Sequence, residues 1–288
     1  MTFRFNFSGS SSDETVTPPL IEKSISDYEQ HQALSIKCEF INLENIKVKL
    51  PSSENVNVMK CAHMEIKYIK QNEVARLGEL ETIEEKKSDL VPGKYEGGLK
   101  VWECAIDLTQ FLIENNCIQT GNTVLELGCG VGLPGIAAYI IGGIVTFQDF
   151  NSEVLECVTA PNVILNTIEE EKTSVSKKCQ FICGDWQQMK HKYFCGKQKN
   201  NKYDYIITSE TLYEKCNHRK LLDLMKAALK LDGIIYLASK VHYFGVGGGI
   251  LDFEKLLAKD NTFDFSTVFR TEEGVERRIL KLSFKNIM

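Results

Sequence analysis

The sequence predicts an α/β fold: an open, mainly parallel sheet with helices on both faces and an antiparallel pair at one edge. Three observations carry this reading. Residues 123–127 form an apolar run that ends in Gly128, Gly130 and Gly132, and a helix pattern follows from Pro134. A buried parallel strand running into a tight turn has this form. From residue 99 onward, strand and helix patterns alternate, as crossover connections between parallel strands require. The last two strand patterns, 263–269 and 278–284, have no helix between them and so should pair antiparallel.

The elements follow in order. Residues 1–20 are rich in Ser, Thr and Pro and are expected to be disordered. Residues 21–92 form an N-terminal extension, in which 56–69 alternates apolar positions (Met64, Ile66, Tyr68) and predicts a strand pair. The charged stretch 79–89 reads as linker or frayed helix. Residues 93–288 are expected to form one large domain. In it Trp102, Ala105, Leu108 and Leu112 recur at helical spacing and give one apolar stripe. Strands are expected at 124–127, 144–148, 179–183, 203–209, 234–239, 263–269 and 278–284. Helices are expected at 134–141, 152–166, 218–230 and 251–259. The charged insert 169–178 reads as a surface loop.

Composition narrows the class. A hydrophobic content of 43% supports a substantial core. No apolar run reaches the length of a membrane span, and the first residues lack the apolar core of a secretory signal, so no membrane partner is expected. The ten cysteines are scattered through predicted strands and helices and read as reduced thiols. They include no C-x-x-C pair, and no metal is expected. A formal charge of −5 argues against a nucleic-acid surface and allows a basic protein partner.

The junction of a parallel strand with its helix is the usual ligand crevice of an open α/β sheet. A dinucleotide turn spaces its glycines G-x-G-x-x-G around a pyrophosphate. Here the spacing is G-x-G-x-G, with Glu126 just before the first glycine. A carboxylate there repels a pyrophosphate and suits an ammonium. The next strand ends at Asp149, placed to accept two ribose hydroxyls. S-adenosyl-L-methionine has free ribose hydroxyls, an α-ammonium and no phosphate, and satisfies both acids. A nicotinamide cofactor explains Asp149 but neither Glu126 nor the spacing. A plain glycine turn with two solvated acids is the bland alternative, and motif, strand context and second acid together disfavour it. Asp185 and Trp186, after the third strand, are placed to accept the adenine amine and to stack on its ring. A turn acid and a core tryptophan would look the same in sequence.

The acceptor should lie beyond strand 203–209, where Glu210 and Tyr213 stand three residues apart and can frame an incoming side chain. The alternative is a Ser209 helix cap followed by ordinary helix residues. Segment 95–104 (YEGGLKVWEC) has paired glycines for a close turn, and its Trp102 and Glu103 can cover the cofactor. Segment 239–249 (SKVHYFGVGGG) packs four glycines into five residues beside Tyr243 and Phe244. It reads as a wall for a substrate peptide, or as a flexible connection without function. His242 reads first as a structural hydrogen-bonding residue and second as a base.

These segments together resemble the histidine protein methyltransferases. The resemblance rests on YEGGLKVWEC, VLELGCGVGLPG, FQDFN, GDW, TSETLY and SKVHYFGVGGG, and covers residues 93–288, with weaker similarity upstream. It implies a Rossmann-like seven-strand class I methyltransferase sheet. It also implies transfer of methyl from S-adenosyl-L-methionine to the tele nitrogen of a histidine in a large-subunit ribosomal protein, by a cytoplasmic and nuclear enzyme; that protein partner is expected to be basic and the chain to be a monomer. By the same resemblance Val101, Trp102, Glu103, Cys104, Ala105, Gly128, Asp149, Phe150, Asn151, Gly184, Asp185, Trp186 and Ser209 contact the cofactor. This chain departs from the family in a short N-terminal region and a short insert at 169–178 without a clear basic localisation signal. In this frame Glu210 accepts the pros N–H of the substrate ring, and Tyr213, Tyr243, Phe244, Gly247 and Gly248 wall its pocket. The alternatives are a lysine methyltransferase of the same fold and a non-catalytic cofactor-binding chaperone for a ribosomal protein.

Overall fold

A computed structural model describes residues 38–46, 48–73, 95–168, 175–195, 202–271 and 274–285. Its strands are β1 (Glu39–Ile41), β2 (Val56–Cys61), β3 (Met64–Ile69), β4 (Thr123–Leu127) and β5 (Ile144–Asp149), followed by β6 (Cys179–Cys183), β7 (Tyr203–Ser209), β8 (Leu229–Lys240), β9 (Phe263–Arg270) and β10 (Arg277–Phe284). The main sheet runs β1-β6-β5-β4-β7-β8-β10-β9. Its centre, β6-β5-β4-β7-β8, is parallel, and β10 and β9 close one edge antiparallel. The predicted architecture is therefore present.

Alternation along each strand builds the two faces. On β4, Val124 points into one buried cluster with Val145, Phe147 and Ile207. Leu125 and Leu127 point into the other with Ile182, Ile206 and Leu237. The first face is covered by the helix Glu103–Glu114, whose Cys104, Leu108, Leu112 and Ile113 are buried, and by the apolar helix Leu133–Ile141. The second is covered by His218–Ala228 and Ile250–Asp260, each with one apolar stripe.

Four features differ from the sequence reading. The sheet has eight described strands rather than seven, because β1 adds antiparallel to β6 through Glu39↔Cys183 and Ile41↔Phe181. β8 starts at Leu229, so the preceding helix stops at Ala228, before the expected end. Asp232 and Gly233 look like turn residues, but a register irregularity between Tyr203 and Tyr205 lets the longer strand pair with β7. Val175–Lys178 is a helical turn, whereas a loop was expected throughout the insert. Helical turns also fill Trp186–Met189 and Lys190–Phe194, for which no element was expected. The stretches 1–20, 79–89 and 169–174 lie outside the described residues.

The predicted strand pair is present as the β2–β3 hairpin. It shares the main core: Met64, Ile66 and Ile69 are buried in the cluster that holds Phe147. Two asparagines of the helical segment after β5 complete its open edge. Asn162 Oδ1 accepts from Ile69 N at 2.9 Å, and Asn166 accepts from Lys67 N at 2.8 Å and donates to Lys67 O at 2.7 Å. Among the described residues no helix is long and apolar enough to cross a membrane.

Candidate active site

Strand order reverses at β4, which has β5 on one side and β7 on the other. The carboxyl ends of these strands border the crevice of a doubly wound sheet. The turn that follows β4 has left-handed backbone at Gly128, Gly130 and Gly132 (φ 61°, 49° and 83°). At Gly130 a Cβ would stand 3.0 Å from the carbonyl oxygen of Gly98. The segment 95–102 therefore lies directly over the turn. Glu96 N donating to Asn151 Oδ1 at 3.3 Å ties it there, and Trp102 Nε1 donating to Gly97 O at 3.0 Å folds the segment on itself. Val101 and Trp102 are half-buried and lead into the helix that begins at Glu103 and contains Cys104 and Ala105.

Asp149 ends β5 and is 5% exposed. Its Oδ2 accepts from Gly130 N at 2.9 Å and its Oδ1 from Asn151 N at 3.1 Å. Burial raises its pKa to about 6, against the lowering effect of those amides. The half-buried Phe150 follows it.

Glu126 has a different task from the ammonium contact expected of it. It is 1% exposed, and its Oε2 accepts from Gly135 N at 3.0 Å. The pleat turns it to the side of Val124, where it satisfies an amide in the first turn of the helix Leu133–Ile141. Burial pushes its pKa up well above the usual carboxylate range.

The third strand's turn is also built from within. Asp185 Oδ1 caps the helical turn Trp186–Met189 by accepting from Gln187 N at 2.8 Å and Gln188 N at 3.3 Å. Its Oδ2 lies 3.4 Å from Lys220 Nζ. The half-buried Trp186 donates from Nε1 to Gln148 Oε1 at 2.8 Å, and that oxygen also accepts from Gly128 N at 3.2 Å. Gln148 Nε2 donates to the carbonyl oxygen of Gly184 at 2.9 Å. One buried amide of β5 thus ties the turns that follow β4 and β6. Sequence reasoning missed Gln148; an amide inside an apolar strand, next to the strand-ending acid, was the available signal.

On the acceptor side, Ser209 pairs with Ala238 of β8, and Glu210 then turns with φ 58°. A left-handed glutamate is strained and persists only where its surroundings fix it. Here they do. Its N–H donates to Ala238 O at 3.0 Å, its Oε1 accepts from Cys104 N at 3.3 Å, and its Oε2 accepts from the Tyr243 hydroxyl. Lys240 Nζ lies 3.6 Å from Glu210 Oε1 and 3.0 Å from Glu103 Oε2. Burial lowers the Lys240 pKa, but Glu210 and Glu103 outweigh it and the net direction is upward. Lys240 was not anticipated, although a cation closing an apolar strand was visible.

Tyr213 donates its hydroxyl to Glu96 and meets the Tyr243 ring edge-on at 6.4 Å between centroids. Burial and the Glu96 charge push the Tyr213 pKa up. No helix follows Ser209 directly; the next begins at His218 after a short turn at Lys215–Asn217. The glycine loop closes on this region where Gly248 N donates to Tyr213 O at 2.9 Å. A cavity of about 520 Å³ is lined by Val241 to Gly248 together with Leu251, Asp252 and Lys255. Tyr243 and Phe244 part company here. Tyr243 is buried against Glu210, whereas Phe244 is 73% exposed at the cavity. Gly247 is exposed, with φ 92°. His242 is also exposed; among the described residues the buried histidine with a hydrogen bond is His218, whose Nε2 lies 2.9 Å from Leu212 O.

A glycine turn at the switch point, an acid ending the next strand and a covering segment over both form the crevice of a Rossmann-like doubly wound sheet. A family model described as lysine methyltransferase matches residues 82–244. The chain is 43% identical over 201 residues to a histidine protein methyltransferase 1 homolog of Dictyostelium discoideum, covering 69% of this chain and 62% of that protein. It is 40% identical over 217 residues to the Bos taurus homolog, covering 69% and 58%. With the Rattus norvegicus homolog it shares 33% identity over 298 residues, covering 96% and 80%. The chain belongs to the histidine protein methyltransferase family. It spans about three fifths of the length of the first two relatives.

Proposed function

We propose that this chain transfers a methyl group from S-adenosyl-L-methionine to the tele nitrogen of a histidine in a basic large-subunit ribosomal protein. The observation that carries the reading is the fixed Glu210 carboxylate at the end of β7, within a chain whose long-range similarity is to histidine protein methyltransferases.

The residues present fit the cofactor. Asp149 is a desolvated acceptor beside left-handed glycines, and two ribose hydroxyls add donors to a carboxylate that burial otherwise disfavours. Gly128, Gly130 and Gly132 shape the floor under it. Segment 95–105 covers it through Val101, Trp102 and the start of the first helix, with Asn151 and Ser209 at the rim. Trp186 borders the adenine side, and Gly184 and Asp185 shape that turn. The cofactor supplies an electrophilic methyl on a sulfonium.

The chain's own task is to hold a neutral imidazole with its tele lone pair in line, about 3 Å from the methyl carbon. The proton must then sit on the pros nitrogen. A carboxylate has about four lone-pair sites, and Glu210 turns them toward Tyr243, the Cys104 amide, the Cys104 thiol and Lys240. The thiol is the weakest of these donors, and the pros N–H can take its place and fix the tautomer. Glu103, Lys240 and Glu210 together keep one net negative charge, which favours the positive charge that builds on the ring. Tyr213, Tyr243, Phe244, Gly247 and Gly248 form the peptide side of the pocket. A ribosomal-protein substrate would be met in the cytoplasm and nucleus, which supports an enzyme working in both.

The test is label transfer from methyl-labelled cofactor onto dissociated large-subunit proteins, with amino-acid analysis of the hydrolysed product. The expected product is tele-methylhistidine. Methyllysine as the sole labelled residue would overturn the proposal.

A further inference from the structure

Lys240 brings an ammonium group to the acceptor end of the molecule. It is the last residue of β8, one strand over from the Glu210 turn, and its side chain is 10% exposed. Its Nζ stands between Glu103 Oε2 at 3.0 Å and Glu210 Oε1 at 3.6 Å. The same nitrogen lies 5.4 Å from the centre of the Trp102 ring and 5.7 Å from that of Tyr243. Two carboxylates and two aromatic faces around one ammonium make a receptor for an alkylammonium. Its parts come from three places, the start of the first helix, the turn after β7 and the glycine loop, and the ammonium comes from a fourth, the end of β8. A surface ion pair needs none of this enclosure.

We propose that Lys240 is a specificity-determining residue: it fills from inside the chain the receptor that a substrate lysine would need, so the site refuses an ammonium and accepts a neutral imidazole. The proposal rests on the histidine reading above and deepens it. A lysine side chain entering beside Lys240 would find Glu103 and one oxygen of Glu210 already facing that ammonium, and a like charge a few ångströms away. An uncharged ring meets no such repulsion. Glu210 and Tyr213 alone would suit either acceptor, and Lys240 is the group that separates them.

The experiment uses the full chain saturated with S-adenosyl-L-methionine and takes n-butylammonium as the probe, its binding followed by calorimetry and by the indole signal of Trp102. Wild type should bind it too weakly to measure. Lys240→Ala opens the receptor, and Lys240→Met keeps the stem while removing the charge. Both should bind the probe at least about tenfold more tightly than wild type, the scale of one desolvated cation–aromatic contact. Lys240→Arg keeps a cation in place and should behave as wild type, which a merely structural role does not require. On dissociated large-subunit proteins, the Ala and Met variants should raise the ratio of methyllysine to methylhistidine about tenfold.

Folded Ala and Met variants that bind cofactor normally but take up no n-butylammonium would overturn the proposal. Should neither variant fold, the wild-type measurement decides, because a probe that perturbs Trp102 there shows the receptor to be open. Wild-type label on histidine with negative probe results rejects the Lys240 role alone. Wild-type label on lysine rejects the histidine reading and this proposal together.

Discussion

The hydroxyl of Tyr243 donates to Glu210 Oε2, joining the glycine loop to the end of β7. Both residues are 9% exposed, so the bond is made away from bulk water. Tyr243→Phe removes the donor and keeps the ring. The carboxylate then loses a charge-assisted partner, at a cost of about 1–3 kcal/mol. We expect a lower melting temperature and slower methyl transfer with cofactor affinity little changed. Thermal denaturation and single-turnover rates check both parts.

Asp149 should make cofactor binding depend on pH. The ribose hydroxyls need the ionised carboxylate, whose pKa burial has raised to about 6. Affinity should therefore be full well above that value and fall as pH drops through it. Fold stability moves the opposite way. A pKa raised above its unfolded value of 3.8 contributes stability that is complete below that pH and is lost as pH rises through about 6. Asp149→Asn should flatten both profiles, and Asp149→Ala should weaken binding by about 1.5–3 kcal/mol. Calorimetry on either side of the transition reads the effect; unchanged affinity in the Ala variant would remove Asp149 from the ribose role.

Gly130→Val should abolish cofactor binding while most of the fold survives. The backbone there has φ 49°, and a Cβ would press to within 3.0 Å of Gly98 O. The left-handed strain alone costs about 1–3 kcal/mol. The clash lifts the covering segment from the glycine turn, so its damage falls on the crevice. Circular dichroism should show a folded variant and calorimetry no binding; normal binding would separate this turn from the cofactor site.

Gln148→Leu keeps the approximate volume and removes the amide that ties Gly128, Trp186 and Gly184. Each buried group left without a partner costs about 1–3 kcal/mol. Denaturant unfolding should show a stability loss of that scale or larger, and Trp186 fluorescence should shift as its indole N–H is released. An unchanged midpoint would show that water replaces the amide without loss.

What could be read from the sequence was periodicity and position. The glycine turn after an apolar run, Asp149 at the end of the next strand and the helix stripe of Leu108 and Leu112 are local patterns. They located the crevice and most of the sheet. Long-range completion left little trace. β1 is three residues long and exists because the edge of β6 offers it partners, so Glu39 and Ile41 show no pattern of their own. Asn162 and Asn166 look like ordinary helix residues until the hairpin edge they cap is in place. Glu126 drew attention by standing beside the glycines, but the strand pleat decided which way it faced. Lys240 and Gln148 act through partners distant in sequence, Glu103 across more than a hundred residues and Trp186 across 38.

The most direct test of the account is the single-turnover rate of methyl transfer to the ribosomal substrate for wild type, Glu210→Gln and Glu210→Ala, with mass spectrometry locating the modified residue. The carboxylate matters more in the transition state than in the ground state, because positive charge grows on the imidazole as the bond forms. Gln keeps a carbonyl acceptor and loses the charge, so its rate should fall by about tenfold to a hundredfold at nearly constant cofactor affinity. Ala loses the orienting acceptor as well and should be slower still. Rates should fall in that order, with all label on the tele nitrogen of histidine. Equal rates for the three proteins, or label on lysine, would contradict this.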